Sequence, residues 1–347
     1  MVKRLTLFLF VVCSMPCGAS AQDTQYWNLQ YGTKGELLGG VVVGSALDMS
    51  STFYNPGAVT WIANPKFILT ASVFGMQTIK VTNEDPNQEA VEQRSFGPLP
   101  SMFAGILPMK WFGGSTAYSF LTRQKFDFRL ETREGVVIGR DDPGDSLSVG
   151  GEIWFQQEMS ESWGGFTWSK KAGQHMAFGT TLYGVYRGQY TRQEQTVEAI
   201  GTAGFGAALI NSRELNFWNA RVLAKVGAYA DYGASTLGIT FTTPSANLFG
   251  SGKIMLNQSL IGDTDEDGIP DSQAQIGFGE ELDTEYRSPW SVAIGGSRKF
   301  KKMTAHGSIE YFAPIDEYTV VVAPTLAGGP GVTGVEVRYA NAAKEVV

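Results

Sequence analysis

From Trp218 to Ala230 the even positions are Trp218, Ala220, Val222, Ala224, Val226, Ala228 and Ala230, while the odd ones run through Asn219, Arg221 and Lys225 to Asp231. A helix repeats every 3.6 residues and cannot sort a chain by parity; a strand does. After Asp231-Tyr232-Gly233-Ala234 the alternation resumes with Leu237, Ile239 and Phe241 against Gly238, Thr240 and Thr242. Met176, Phe178, Leu182, Gly184 and Tyr186 oppose His175, Thr181 and Arg187, and Met303, Ala305, Gly307, Ile309 and Tyr311 oppose Thr304, His306, Ser308 and Glu310. One face is charged and the other apolar, which suits a wet interior and a lipid exterior. A soluble β-sandwich with the apolar face in its core is the competing arrangement.

Connections sharpen the choice. Short turns are expected near Pro108–Gly113, Lys170–Gly173, Asp231–Ala234 and Lys299–Lys302, and long polar stretches over 82–96, 131–162, 191–215 and 244–287. Outer-membrane barrels keep short turns at one end and long loops at the other. The pattern predicts an all-β fold, an antiparallel transmembrane β-barrel, with about nine clear strands ending at Phe312. An odd count and the lack of a terminal aromatic strand lead us to expect further strands beyond Val347.

The first 21 residues read as a cleavable export signal: Lys3 and Arg4, an apolar core from Leu5 to Val12, then Ala19-Ser20-Ala21. Cys13 and Cys17 both fall inside it, so the mature chain carries no cysteine and no disulfide. The 27 basic residues less Lys3 and Arg4, against 34 acidic ones, give the mature chain a net charge of −9. That balance argues against a nucleic-acid partner. No other apolar run is long enough for a membrane helix.

Between signal and first strand, Gly39–Ala58 reads G-G-V-V-V-G-S-A-L-D-M-S-S-T-F-Y-N-P-G-A. Pro56 fixes its own φ and restricts Asn55 to extended conformations, and Gly57 permits a sharp turn. This stretch, with Ser288-Pro289-Trp290-Ser291-Val292, Ile294-Gly295-Gly296 and Tyr311 through Tyr318, resembles the outer-membrane long-chain fatty-acid transporter family (FadL/TodX-like). The family's Asn-Pro-Ala motif aligns with Asn55, Pro56 and Gly57, and Ala58 follows one place late. The resemblance implies residues 22–62 as an N-terminal hatch, or plug, and 63–347 as the barrel. It implies Tyr54, Asn55, Pro56 and Gly57 as gating residues, and passive uptake of long-chain fatty acids or other hydrophobic small molecules. Cargo in that family is captured from outside and leaves through a lateral opening. Its implied partners are hydrophobic cargo, outer-membrane lipid and the barrel-assembly machinery, and its location is the bacterial outer membrane. A general porin and a structural or adhesive surface barrel stand as alternatives. Ala203–Ile210 is a candidate apolar groove for capture.

Gly262–Asp271 reads G-D-T-D-E-D-G-I-P-D. Asp263, Asp265, Asp267 and Asp271 occupy positions one, three, five and nine of a calcium loop, Gly268 the sixth, and Ile269 offers a carbonyl at seven. Ala274 stands where an EF-hand places its bidentate Glu, so the spacing is closer to thrombospondin type 3 repeats. Structural Ca2+ in an external loop is the expectation, against a plain solvated acidic loop. Enzymatic chemistry is not expected. The mature chain has two histidines, His175 and His306, and lacks both a Gly-x-Ser-x-Gly elbow and a His-Glu-x-x-His site. His306 and Ser308, two apart on a strand, are too far for a direct hydrogen bond.

Overall fold

The computed structural model describes residues 29–45, 48–62, 67–81, 91–109, 113–139, 146–201, 206–262, 273–328 and 331–346. Three short helical elements come first: α1 (Gly32–Leu37), α2 (Ser51–Tyr54) and a 3-10 turn (Pro56–Trp61). Fourteen strands follow among the described residues. They are β1 (Ile68–Val81), β2 (Val91–Leu107), β3 (Ser115–Gly139), β4 (Ser146–Ala172), β5 (Met176–Gly201), β6 (Gly206–Asp231) and β7 (Ser235–Thr242). After them come β8 (Ala246–Gly262), β9 (Gln273–Asp283), β10 (Ser291–Phe300), β11 (Met303–Phe312), β12 (Ile315–Ala323), β13 (Val332–Gly334) and β14 (Val337–Ala343). Among the described residues, no helix is long and apolar enough to cross a membrane, which says nothing about strands.

Antiparallel ladders run β1-β2-β3-β4-β5-β6-β7-β10-β11. The edge of β6 is shared: Lys225–Asp231 pairs with β7, and Ala207–Val222 pairs with β8. In turn β8 pairs with β9, and β13 adds to β9 in parallel. So β7 with β8, and β10 with β9, behave as two long strands, each broken in the middle. Both breaks hold a proline, Pro244 and Pro289, and a third proline, Pro314, divides β11 from β12. Proline removes a ladder donor, so three neighbouring interruptions at prolines have one local cause. Past its break the chain leaves the large sheet, and β12 pairs with β14 in a separate hairpin. That hairpin packs Val320, Val321, Ala323 and Val337 against Leu215, Phe217 and Ile254.

The parity read from the sequence is the burial pattern. Along β5, Ala177, Thr181, Tyr183, Val185, Arg187 and Gln189 are buried, and Met176, Phe178, Leu182 and Tyr186 are exposed. In β6 and β7 the buried set includes Asn219, Arg221, Lys225, Thr240 and Thr242, and the exposed set Val226, Leu237, Ile239 and Phe241. This inverts the arrangement of a soluble sandwich, in which the apolar face is the covered one.

Two expectations change. The described residues within 131–162 and 191–215 are strand, not loop: β3, β4, β5 and β6 run 25 to 27 residues each, deep into those stretches. The stretch 244–287 holds β8 and β9, and β12, β13 and β14 lie beyond the last expected strand. Apolar residues there do not repeat regularly enough to mark a face in the sequence, yet ladder hydrogen bonds need no apolar face. Above the alternating zone the faces also change character. The exposed face of β5 passes from Met176, Phe178, Leu182 and Tyr186 to Arg192, Glu194 and Glu198, and on β3 it carries Lys125, Asp127, Arg129 and Glu131. The other face of β3 and β4 takes up Phe126, Phe128, Leu130, Ile153 and Phe155, with the Phe128 and Phe155 rings 5.7 Å apart.

Phe217 joins the hairpin to the large sheet, its ring 6.3 Å from Tyr286 and 6.2 Å from Tyr339. Phe217→Ala should cost about 3–5 kcal/mol and speed hydrogen exchange at the Val320 and Val321 amides. Unchanged exchange there would mean the hairpin is held by something else.

Candidate binding site

The N-terminal segment lies on the buried, polar face of the large sheet, and its backbone is seated there by glycines. A Cβ on Gly179 would sit 2.4 Å from Pro56 O, on Gly227 2.3 Å from Asn55 Oδ1, and on Gly238 2.3 Å from Val43 O. Real Cβ atoms do not approach that closely, so β5, β6 and β7 leave a side-chain-free slot where two backbones meet. Into it Asn55 sends a fully buried amide. Its Nδ2 donates to Val43 O at 3.0 Å and Ala228 O at 2.9 Å, and its Oδ1 accepts from the Gly57 N–H at 3.1 Å. Asn55 is extended (φ −156°, ψ 98°), as a residue before proline must be, and thereby caps the 3-10 turn that starts at Pro56.

Sheet hydroxyls satisfy the neighbouring carbonyls. Thr181 and Tyr183 donate to Thr52 O at 2.8 and 2.9 Å, Thr240 to Tyr54 O at 3.0 Å, and Ser169 to Gly57 O at 3.1 Å. Tyr54 accepts from the Tyr31 N–H and donates to Gln30 Oε1, both at 3.0 Å. Burial raises the Tyr54 phenol above its ordinary pKa and keeps it a donor. Ser45 Oγ lies 2.9 Å from His306 Nδ1, a further tie to β11. The four expected gating residues, Tyr54, Asn55, Pro56 and Gly57, are thus together, buried, and in contact with four strands, β4 to β7.

Beside them is a cluster of charge that the motifs did not announce. Glu161 is buried and accepts from Trp163 Nε1 at 2.7 Å, Arg187 Nη1 at 3.3 Å and Arg221 Nη2. Arg187 and Arg221 also lie over the Tyr286 ring, 4.1 and 4.8 Å from its centroid. Lys225 Nζ sits 4.2 Å from the Phe53 centroid, and the Arg123 guanidinium 5.3 Å from it. Four buried cations therefore meet two carboxylates, Glu161 and the half-buried Glu310. Among the described residues, Arg221 Nη1 is buried without a hydrogen-bond partner. Unbalanced charge out of water is costly, so the arrangement favours an anion.

A cavity opens on this cluster, bounded by Arg123, Glu161, Arg221, Lys225 and Glu310 and by Phe53, Trp163, Leu223, Phe312 and Ile315. It offers about 60 Å³ to water-sized occupants. The proline-bearing breaks line a second space of about 210 Å³, where Pro244, Pro289 and Pro314 converge with Ser245 and Trp290. Tyr286, Arg287, Ser288, Pro289 and Ile315 border both spaces. At the break, paired backbone gives way to isolated contacts, such as Ser245 N to Ser288 O at 3.2 Å and Ala313 N to Trp290 O at 3.0 Å. Phe241, Trp290 and Tyr311 rings gather beside it, with centroids 6.3 and 5.6 Å apart.

The expected calcium ligands Asp263, Asp265, Asp267, Ile269 and Asp271, and the signal at 1–21, lie outside the described residues. Of Ala203–Ile210, only Gly206–Ile210 is described, as the start of β6. Parity had placed Arg187, Arg221 and Lys225 on one face, and that signal could have flagged the cluster. Glu161, its counter-charge, was hidden in a stretch taken for a loop. No family model, curated protein or solved structure matches the chain.

The amide of Asn55 can be tested directly. Asn55→Ala should lose about 2–4 kcal/mol of docking free energy, and Gly227→Ala should clash with the same group. In both, limited proteolysis should release the N-terminal segment that the wild type protects. Equal protection in all three would place the hold elsewhere.

Proposed function

We propose that this chain is an outer-membrane β-barrel that takes up amphipathic carboxylates, long-chain fatty acids being the fitting class, with residues 22–62 as an internal plug. The observation that carries this function is the buried cluster of Arg123, Arg187, Arg221 and Lys225, short of carboxylates and walled by aromatic and aliphatic side chains. A carboxylate head supplies the missing negative charge. The adjoining space at the proline breaks offers room for the start of its chain and a lateral way out toward the exposed aromatics.

Membrane placement is supported by the inverted faces. The alternating stretch Met176 to Gln189, at about 3.3 Å per residue and a tilt of about 40°, is tall enough for an apolar band of about 25 Å. Tyr186, Trp218 and Phe249 gather at its upper limit, as an aromatic girdle would, the first pair stacked with centroids 6.1 Å apart and the second edge-to-face at 5.9 Å. Above that level the outer face is charged. The inward face there, with Phe126, Phe128, Leu130 and Phe155, offers apolar surface for first capture. A general water-filled porin fits less well, because the N-terminal segment occupies the polar face that such a pore leaves open.

Lys225→Met tests the function with little risk to the fold, since Glu161 keeps both of its arginines. Uptake of labelled long-chain fatty acid by cells should fall about ten-fold or more, the worth of one charged hydrogen bond. Entry of the corresponding long-chain alcohol should be unchanged. Equal loss for acid and alcohol, or no loss for either, would remove the cluster from cargo recognition. A large, steady ion conductance of the intact protein in planar bilayers would favour the porin.

A further inference from the structure

The short-turn end of the sheet carries a basic, apolar hairpin tip that the uptake route does not use. Phe300 and Met303 form the closing pair of the β10–β11 hairpin, with Lys301 and Lys302 at its tip. Phe300 is 50 % exposed and Met303 73 %. Counting outward from Ile294, Arg298 and Phe300 lie on the exposed apolar face, and the Arg298 guanidinium is 5.7 Å from the Phe300 centroid. The ladder neighbours of Arg298 are Ser235 and Ala305, and Lys299 faces Thr304, so no acid stands opposite either. Among the described residues, no ion pair reaches Arg298, Lys299, Lys301 or Lys302 within the salt-bridge distance of 4.0 Å.

The far end has the opposite balance. There the outer face carries Asp127, Glu131, Glu152, Glu158, Glu194 and Glu198, partly paired with Arg129, Arg133 and Arg192. Charge along the outer surface is therefore polarised from an acid-rich end to a basic one. Large apolar side chains interleaved with unpaired cations fit a lipid headgroup zone, with rings and thioethers among the chains and cations at the phosphates.

Resting on the membrane reading above, we propose that this hairpin seats the headgroup of an anionic phospholipid in the leaflet at the short-turn end. Arg298, Lys301 and Lys302 meet the phosphate, and Phe300 and Met303 meet the upper acyl chain. This fixes both the depth of the barrel and which end faces that leaflet. A basic residue at an anionic membrane surface is worth roughly five-fold in binding, so three together give a selective seat.

The test uses full-length protein in phosphatidylethanolamine vesicles with and without phosphatidylglycerol, followed by native mass spectrometry of the lipids retained after mild detergent extraction. The wild type should retain phosphatidylglycerol several-fold over its share of the vesicle. The triple variant Arg298→Gln, Lys301→Gln, Lys302→Gln should insert equally well and lose that enrichment. Lys125→Gln with Arg129→Gln, at the far end, should keep it. Retention at the bulk ratio by the wild type, or equal enrichment in the triple variant, overturns the seat and leaves the barrel reading standing. Failure of the wild type to enter either vesicle overturns both.

Discussion

A sheet that exposes an apolar face and buries one on which arginines, a lysine and hydroxyls stand among apolar side chains must pair those buried polar groups without bulk water, and much of the molecule follows from that. Glu161 takes donors from Trp163, Arg187 and Arg221. Thr181, Tyr183, Thr240 and Ser169 spend their hydroxyls on carbonyls of the N-terminal segment. The segment needs those donors as much as the sheet needs its carbonyls, because its helical pieces are too short to close their own hydrogen bonds. Asn55 is the joint between the two, one amide serving three backbone groups. The glycines at 179, 227 and 238 exist to let that amide and its neighbours reach the ladder.

What remains unsatisfied is then informative. The cation cluster fails to balance by charge, with four buried cations near two carboxylates and, among the described residues, a buried Arg221 nitrogen without a hydrogen-bond partner. It lies next to the proline-bearing breaks, where the ladder also fails. The space at the charge deficit and the space at the gap in the sheet share five residues, and the proposed recognition site with its side exit rests on that adjacency. Breaking the buried pair by removing Glu161 would strand two arginines, which is why the less entangled Lys225 is the better probe.

Much of this was legible in the chain. Parity from Trp218 to Ala230 assigned the buried and exposed faces of β6 correctly, since a period of two leaves no choice once one face is apolar. The Tyr54–Gly57 bend was visible because proline and glycine act locally. The long stretches over 131–162 and 191–215 were misjudged because their residues are polar on one face and mixed on the other, a pattern that loops share. Glu161 was lost with them, and Arg123 for a separate reason: it sits at the Thr122/Gln124 bulge, where parity slips by one. The glycine slot could not be read from one strand at a time. Its meaning comes from the register that sets Gly179 against Gly227 and Gly238 against Gly295.

We propose that the buried cations recognise a carboxylate inside a plugged, lipid-facing barrel. An experimental structure of the protein in a lipid nanodisc with a long-chain fatty acid tests it most directly. A carboxylate should lie within hydrogen-bond distance of Arg221 Nη1 or Lys225 Nζ, with its chain leading to the space between Pro244, Pro289 and Pro314. A fatty acid bound elsewhere, with the cation cluster neutralised by protein carboxylates alone, would contradict it.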